Sequence, residues 1–153
     1  MTMAGKQKKL ADALESIVEL DLDAIRAYDA AIAALASAGD KRELGAFKRD
    51  HERHVRELGP QIERHGGRVP TGPDLKVVLT KGKTVLAALI GDRAVLMAMK
   101  TNEDDTNAAY EHILGRDDLD EPLRDLLHKN LTDERRHRAW IEERVAAEGR
   151  SRA

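Results

Sequence analysis

Acidic and aromatic side chains recur at matching intervals in the two halves of this sequence. Asp21 precedes Tyr28 by seven residues, and Glu103 precedes Tyr110 by the same interval. Carboxylates bind metal ions and accept protons, and a tyrosine hydroxyl can donate a hydrogen bond to a carboxylate. Two copies of one spacing indicate an internal repeat that carries chemistry.

Each tyrosine is followed by a pair of ionisable residues three positions apart. His51 and His54 lie 23 and 26 residues after the first tyrosine, and Glu134 and His137 lie 24 and 27 residues after the second. Residues three apart project from the same side of a helix, one turn apart. The two copies agree to within one residue, and both pairs are in register with apolar stripes that predict a buried face.

Six ionisable side chains that share one interior need compensation, because a buried charge without a partner is costly. They are Asp21, His51, His54, Glu103, Glu134 and His137. A metal ion could satisfy all six, and since the chain has no cysteine, its ligands would be carboxylates and imidazoles. This donor set favours one or two ions of iron or manganese, with zinc as a further option. The alternative is a metal-free buried polar network that would give the same fold.

Long amphipathic helices are predicted to position these residues. Charged residues make up 35% of the chain and aromatic residues 3%, which is typical of helical proteins. Apolar residues recur every three or four positions and predict helices at about 8–37, 41–65, 83–114 and 120–147. A short extra helix at about 74–80 is predicted within a long crossover between the second and third helices. We therefore expect an all-α, antiparallel four-helix bundle that forms a single domain over residues 1–153.

Several helix ends have local signals. Gly39 is predicted to stop the first helix, and Asp40 with Glu43 resembles a capping box that begins the second. The Gly59-Pro60 pair is expected to kink or interrupt the second helix.

The residues named above resemble the ferritin-like superfamily, and in particular its rubrerythrin-type members. The sequence is also similar to small, poorly characterised bacterial ferritin-like proteins. The resemblance implies one carboxylate ligand from each of two helices and a Glu-x-x-His pair from each of the other two. Asp21 and Glu103 match the single carboxylates, and Glu134 with His137 matches one of the pairs.

Two positions depart from that pattern. His51 stands where the superfamily has a bridging glutamate, and Asp21 is one methylene shorter than glutamate. A carboxylate can draw two metal ions together, whereas a neutral imidazole binds one ion through one nitrogen. A single metal ion, an asymmetric pair and a relic site that binds none all remain open, and Asp50 could rotate inward to replace the missing oxygen.

Residues near these positions have simpler interpretations. Tyr28 and Tyr110 are core residues with satisfied hydroxyls, which is the commoner role, or hydrogen-bond donors to the carboxylates, or redox partners of the site. Glu52 and Asp133 fall off the apolar stripes, so we interpret them as solvated or as partners of nearby arginines.

The remaining features bear on location and partners. The formal charge of -2 and the interleaved basic and acidic residues argue against nucleic-acid binding. No apolar run is long enough for a membrane span, and the N-terminus has no apolar signal, so a cytoplasmic protein is expected. The run from 85 to 99 is apolar on more than one face, which predicts a homodimer through the third helix or a deeply buried helix.

Two functions follow as hypotheses. The first is a ferritin-like metal-binding protein that holds iron or manganese and reacts with oxygen or peroxide. The second is a non-enzymatic, stress-related or structural interaction protein with a metal-free polar core. Whether the protein is an enzyme stays open at this stage.

Overall fold

The structure is a computed structural model that describes residues 2–71 and 89–151. This part of the chain contains four helices and no strand. The helices are α1 (Leu10–Ala34), α2 (Ala38–Arg64), α3 (Asp92–Leu114) and α4 (Glu121–Arg150). The all-α four-helix prediction is confirmed. The predicted short helix at 74–80 and the predicted start of the third helix at 83 lie outside the described residues.

The four helices are paired as two hairpins. Residues 35–37 join α1 to α2, and residues 115–120 join α3 to α4. Each pair packs along its length, and α1 also packs against α3 and α2 against α4. Because the two connections are this short, the helices within each hairpin are antiparallel. None of these helices is long and apolar enough to span a membrane, a result that holds for the described residues.

The turn between α1 and α2 differs from its prediction. Ser37 rather than Asp40 is the N-cap of α2, and its hydroxyl accepts a hydrogen bond from the Asp40 backbone N–H at 3.2 Å. Gly39, the predicted stop, is already helical. The Asp40 carboxylate instead accepts from Nε and Nη2 of Arg144 on α4, at 2.9 and 3.0 Å. The predicted capping box is wrong because this bidentate ion pair occupies the carboxylate.

The predicted interruption of α2 is also wrong. The helix continues through Gly59 and Pro60 to Arg64. Pro60 lies on the exposed side of the helix, where water can hydrogen-bond the backbone carbonyl that proline leaves without a donor.

Helix α3 begins later than predicted. Leu89 to Gly91 are not helical, and Gly91 has a φ of 92°, in the left-handed region that favours glycine. The first helical residue, Asp92, accepts hydrogen bonds from the backbone N–H groups of Ala36 and Ser37 at 2.8 and 3.0 Å. The start of α3 is therefore tied to the turn between α1 and α2.

The core consists of two apolar clusters separated by a polar layer. One cluster includes Leu14, Ile17, Leu58, Ile62, Ile113 and Leu127. The other includes Tyr28, Phe47, Leu96, Met99 and Ile141. Along each helix the residues predicted as ligands lie between the members of the two clusters. The apolar clusters supply the favourable burial, and the polar layer has to be compensated within itself.

Candidate metal centre

All six residues predicted as ligands meet in the polar layer, and each is buried with a relative exposure of 0%. They come from all four helices: Asp21 from α1, His51 and His54 from α2, Glu103 from α3, and Glu134 and His137 from α4. The three-residue spacing within α2 and within α4 places both members of each pair on the inner face. These side chains form two groups in which the ligand atoms lie within 4.8 Å of one another.

The first group, group A, consists of Asp21, His51, His54 and Glu134. Asp21 Oδ1 lies 2.8 Å from His51 Nδ1 and 3.5 Å from His54 Nδ1. Glu134 Oε1 closes the ring, at 3.4 Å from His51 Nδ1 and 3.2 Å from His54 Nδ1. Neighbouring ligand atoms bound about 2.1 Å from one ion are separated by roughly 3.0 to 3.4 Å. Group A is therefore close to the size of a four-ligand metal site.

The second group, group B, consists of His51, Glu103, Glu134 and His137. Glu103 Oε1 lies 3.4 Å from His51 Nε2 and 3.7 Å from His137 Nδ1. His51 and Glu134 belong to both groups. His51 directs Nδ1 toward Asp21 of group A and Nε2 toward Glu103 of group B. Its ring therefore lies between the carboxylate of α1 and the carboxylate of α3.

The two tyrosines bond the single carboxylates across the hairpins. Tyr110 donates to Asp21 Oδ2 at 2.7 Å, and Tyr28 donates to Glu103 Oε1. Burial, reinforced by the neighbouring carboxylates, raises the pKa of both phenols well above the usual value, so both keep their protons at neutral pH. The structure thus combines two interpretations of the tyrosines, as core residues and as donors to the carboxylates.

Two further carboxylates orient the histidines. Asp133 Oδ2 lies 3.2 Å from His54 Nε2, and Asp50 Oδ2 lies 2.9 Å from His137 Nε2. In each case the aspartate comes from the other hairpin. A partner on Nε2 fixes the orientation of an imidazole, and here it directs Nδ1 toward the centre of the polar layer.

Two arginines hold these aspartates at the rim. Arg53 contacts both Asp133 and Asp50, with Nη1 at 2.9 Å from Asp50 Oδ1. Arg136 Nη2 lies 2.6 Å from Asp50 Oδ2 and 3.1 Å from Asp133 Oδ1. The suggestion that Asp50 rotates inward is therefore wrong, because two arginines and a histidine hold its carboxylate outside the centre.

The contacts of the two acidic residues beside the histidines agree only in part with their prediction. Asp133 does pair with arginines, as predicted, but it also contacts His54. Glu52 lies off the site and pairs with Lys48 at 3.5 Å. A signal for the rim was available, because residues 50–54 (DHERH) and 133–137 (DERRH) share the pattern Asp-x-x-Arg-His. The two positions between aspartate and arginine differ, and the first of them is a predicted ligand in both copies, histidine in one and glutamate in the other.

The polar layer shifts the pKa values of its own members. Burial, the largest effect, raises the pKa of Glu134 to about 7. Burial would also raise the pKa of Asp21 and of Glu103, but hydrogen bonds and charge from the histidines outweigh it and lower both values. Burial would lower the pKa of His51, yet the surrounding carboxylates raise it. The histidine therefore pairs with both single carboxylates as a cation when no metal competes.

Four inward-directed atoms have no hydrogen-bond partner among the residues that the structure describes. They are His54 Nδ1, His137 Nδ1 and both carboxylate oxygens of Glu134. Glu134 Oε1 lies close to the imidazoles of His51 and His54 but makes no hydrogen bond with them. A metal cation is the partner that would satisfy this buried carboxylate and the imidazoles of His54 and His137 together. The residues present thus fit a metal ion coordinated by nitrogen and oxygen.

Polar residues that the sequence interpretation did not single out support the second hairpin. Asn107 Nδ2 donates to the backbone carbonyls of Glu103 and Glu134 at 2.7 and 3.0 Å. The Thr106 hydroxyl lies 3.3 Å from Glu103 Oε2. The Asn107 bond to the Glu134 carbonyl ties α3 to α4 at the level of the site.

The fold and the site together define an all-α protein. Buried carboxylates and histidines on the four helices of its described part could hold a metal ion. Residues 9–116 match the family described as a domain of unknown function, DUF2383, and the chain belongs to this family. The matched segment includes α1 to α3 and ends before α4, which supplies Glu134 and His137. No curated protein and no solved structure matches the chain significantly.

Proposed function

We propose that this protein is a ferritin-like metal-binding protein that holds iron or manganese between its four helices. The observation that supports this most directly is the set of inward-directed atoms of His54, His137 and Glu134 that make no hydrogen bond within the described part of the chain. They lie in two overlapping four-residue groups with nitrogen and oxygen ligands. Such a mixed donor set suits first-row transition metals, and zinc remains a further option.

The chain's own residues would prepare and hold this site. Tyr28 and Tyr110 fix the carboxylates of Glu103 and Asp21. The aspartate and arginine network at the rim aligns the imidazoles, and the apolar clusters above and below limit access of water. A bound iron or manganese ion would supply Lewis-acid or redox chemistry toward oxygen or peroxide. Reactivity toward oxygen or peroxide depends on metal binding, so metal binding is tested first.

Metal content tests the proposal. The protein would be purified without chelator or metal-affinity resin and analysed by elemental mass spectrometry, together with Glu134→Ala and His54→Ala. Glu143→Gln, at an exposed position on the same helix as Glu134, is the control. We expect near-stoichiometric iron or manganese in the wild type and the control, and loss in the two site variants with helical content unchanged. A folded wild type that is empty and also refuses added iron, manganese and zinc would contradict the proposal.

A second candidate is a metal-free interaction protein that dimerises through α3. It is favoured by two large apolar side chains near the start of that helix, Ile90 with 92% exposure and Met97 with 46%. This function predicts an empty wild type that is a dimer in light scattering, and a monomer after Met97→Lys. A monomeric wild type at working concentration would rule it out.

A further inference from the structure

We propose that groups A and B bind metal ions with unequal affinity and that the first ion enters group A. This inference rests on the proposed metal-binding function and names the order in which the site is filled. Four observations on the ligands support it.

Group A is already assembled to the size of a metal site. Its four successive ligand-atom separations run from 2.8 to 3.5 Å. Ligand atoms about 2.1 Å from a common ion are separated by roughly 3.0 to 3.4 Å, so an ion can enter with small movements. In group B the separations from Glu103 Oε1 are 3.4 Å to His51 Nε2 and 3.7 Å to His137 Nδ1. Filling group B requires a larger contraction.

His51 can serve one ion at a time as a neutral ligand. A neutral imidazole has one nitrogen with a free lone pair, and the other nitrogen carries the proton. His51 Nδ1 belongs to the ring of group A, at 2.8 Å from Asp21 Oδ1. An ion in group A therefore leaves His51 Nε2 as a donor toward Glu103, and group B retains Glu103, His137 and a shared Glu134.

The tyrosines act differently on the two groups. Tyr110 donates to Oδ2 of Asp21, whereas the atom that faces His51 and His54 is Oδ1. Tyr28 donates to Oε1 of Glu103, the same oxygen that faces His51 and His137. The oxygen of group A is therefore clear of its tyrosine, while the oxygen of group B has to be shared with a hydroxyl proton or replaced by Oε2.

Charge does not choose between the groups, since each contains two carboxylates and two histidines, but it weakens the second binding step. The first ion in group A contacts two carboxylates, Asp21 and Glu134. A second ion in group B has Glu103 to itself, shares Glu134 and is repelled by the first ion. Unequal affinity thus follows from the charge and from the single neutral lone pair of His51. The order of filling follows from the preformed geometry of group A and from the position of the tyrosine hydroxyls.

A titration of metal-free protein with Co²⁺ tests the order of filling, with visible absorbance and calorimetry as readouts. We expect one equivalent to bind at least about tenfold more tightly than any second one. Asp21→Asn and Glu103→Gln form a matched pair, because each removes one charge from a carboxylate that is held by a tyrosine. Asp21→Asn should weaken the first step at least about tenfold, and Glu103→Gln should leave it within about threefold while weakening or removing the second.

The outcomes separate the inference from the function on which it rests. Two equivalents that bind with equal affinity, or a first step weakened more by Glu103→Gln than by Asp21→Asn, would overturn the order but not metal binding. Folded wild type that binds no Co²⁺, iron or manganese would overturn the proposed function itself. If Asp21→Asn fails to fold, His54→Gln and His137→Gln provide a second pair, and the first step should be lost with His54→Gln.

Discussion

Tyr110 on α3 donates its hydroxyl to Asp21 on α1 at 2.7 Å, and this buried bond joins the two hairpins at the centre of the molecule. Tyr28 and Glu103 make the reciprocal contact in the opposite direction. The four residues come from the two copies of one spacing, so the repeat in the sequence corresponds to a pair of crossed contacts. Each hairpin thereby orients a carboxylate that belongs to the other.

Tyr110→Phe is expected to destabilise the metal-free protein. The substitution removes a hydrogen bond to a buried carboxylate, and such bonds contribute about 2 kcal/mol. We expect the free energy of unfolding, measured by urea denaturation, to fall by roughly that amount. Tyr28→Phe should destabilise similarly, but because it uncovers Oε1 of Glu103, it should strengthen binding in group B. Unchanged stability in both variants would show that the crossed contacts are energetically neutral.

The aspartates at the rim should control metal affinity through the histidines. Partners of this kind typically change metal affinity by about 10- to 100-fold. Asp133→Asn should lower the affinity for the first ion by that factor, because Asp133 contacts His54 of group A. Glu52→Gln, on the same face of α2 as Lys48, is the control and should bind metal like the wild type. Calorimetric titration of both variants gives the comparison, and equal affinities would contradict the role of Asp133.

His51→Glu should make the affinities for the first and the second metal ion more similar. A glutamate at this position offers two oxygens, so one side chain can bind both ions, which a neutral imidazole cannot do. We expect the second ion to bind at least about tenfold more tightly than in the wild type, with a smaller effect on the first. Calorimetry and elemental analysis after gel filtration measure this. A second step that stays as weak as before would mean that His51 is not its cause.

Metal affinity should increase with pH. Burial alone would lower the pKa of His54, but contacts with Asp133, Asp21 and Glu134 raise it to about 10. Burial raises the pKa of Glu134 to about 7. Both groups bind metal in their deprotonated forms, so protons compete with the ion below these pKa values.

Raising the pH from 6 to 8 should therefore lower the Kd, by about tenfold per pH unit for each proton released. Calorimetry in two non-coordinating buffers with different ionisation enthalpies counts the protons directly. Binding that is independent of both pH and buffer would contradict the assignment of these two ligands.

Much of the site could be anticipated because helical periodicity decides which residues share a face. Positions three apart lie on one side of a helix, and this placed His51 with His54 and Glu134 with His137. Asp50 and Asp133 were missed as partners of the histidines for the same geometric reason. A residue next to a ligand is rotated by about 100° around the helix, which predicts a solvated side chain. The neighbouring helix is close enough for that side chain to reach a histidine across the rim.

The helix ends were harder to predict because their signals are local and the competing contacts are not. Ser37 and Asp40 are both good N-cap residues by type. The choice between them depends on Arg144, which lies 104 residues further along the chain and occupies the Asp40 carboxylate. Similarly, Gly91 precedes the first residue of α3 with a positive φ. The apolar residues on both sides of it predict one continuous helix and give no sign of this helix start.

The two hairpins belong to one polypeptide, and this widens the range of residues that their shared centre can combine. A homodimer built from one such hairpin would carry any substitution on both sides of its axis, so both shared positions would be histidine or both glutamate. Covalent linkage removes that constraint, since each copy mutates alone. The combination of His51 in one half with Glu134 in the other is therefore open to this single chain and closed to such a homodimer.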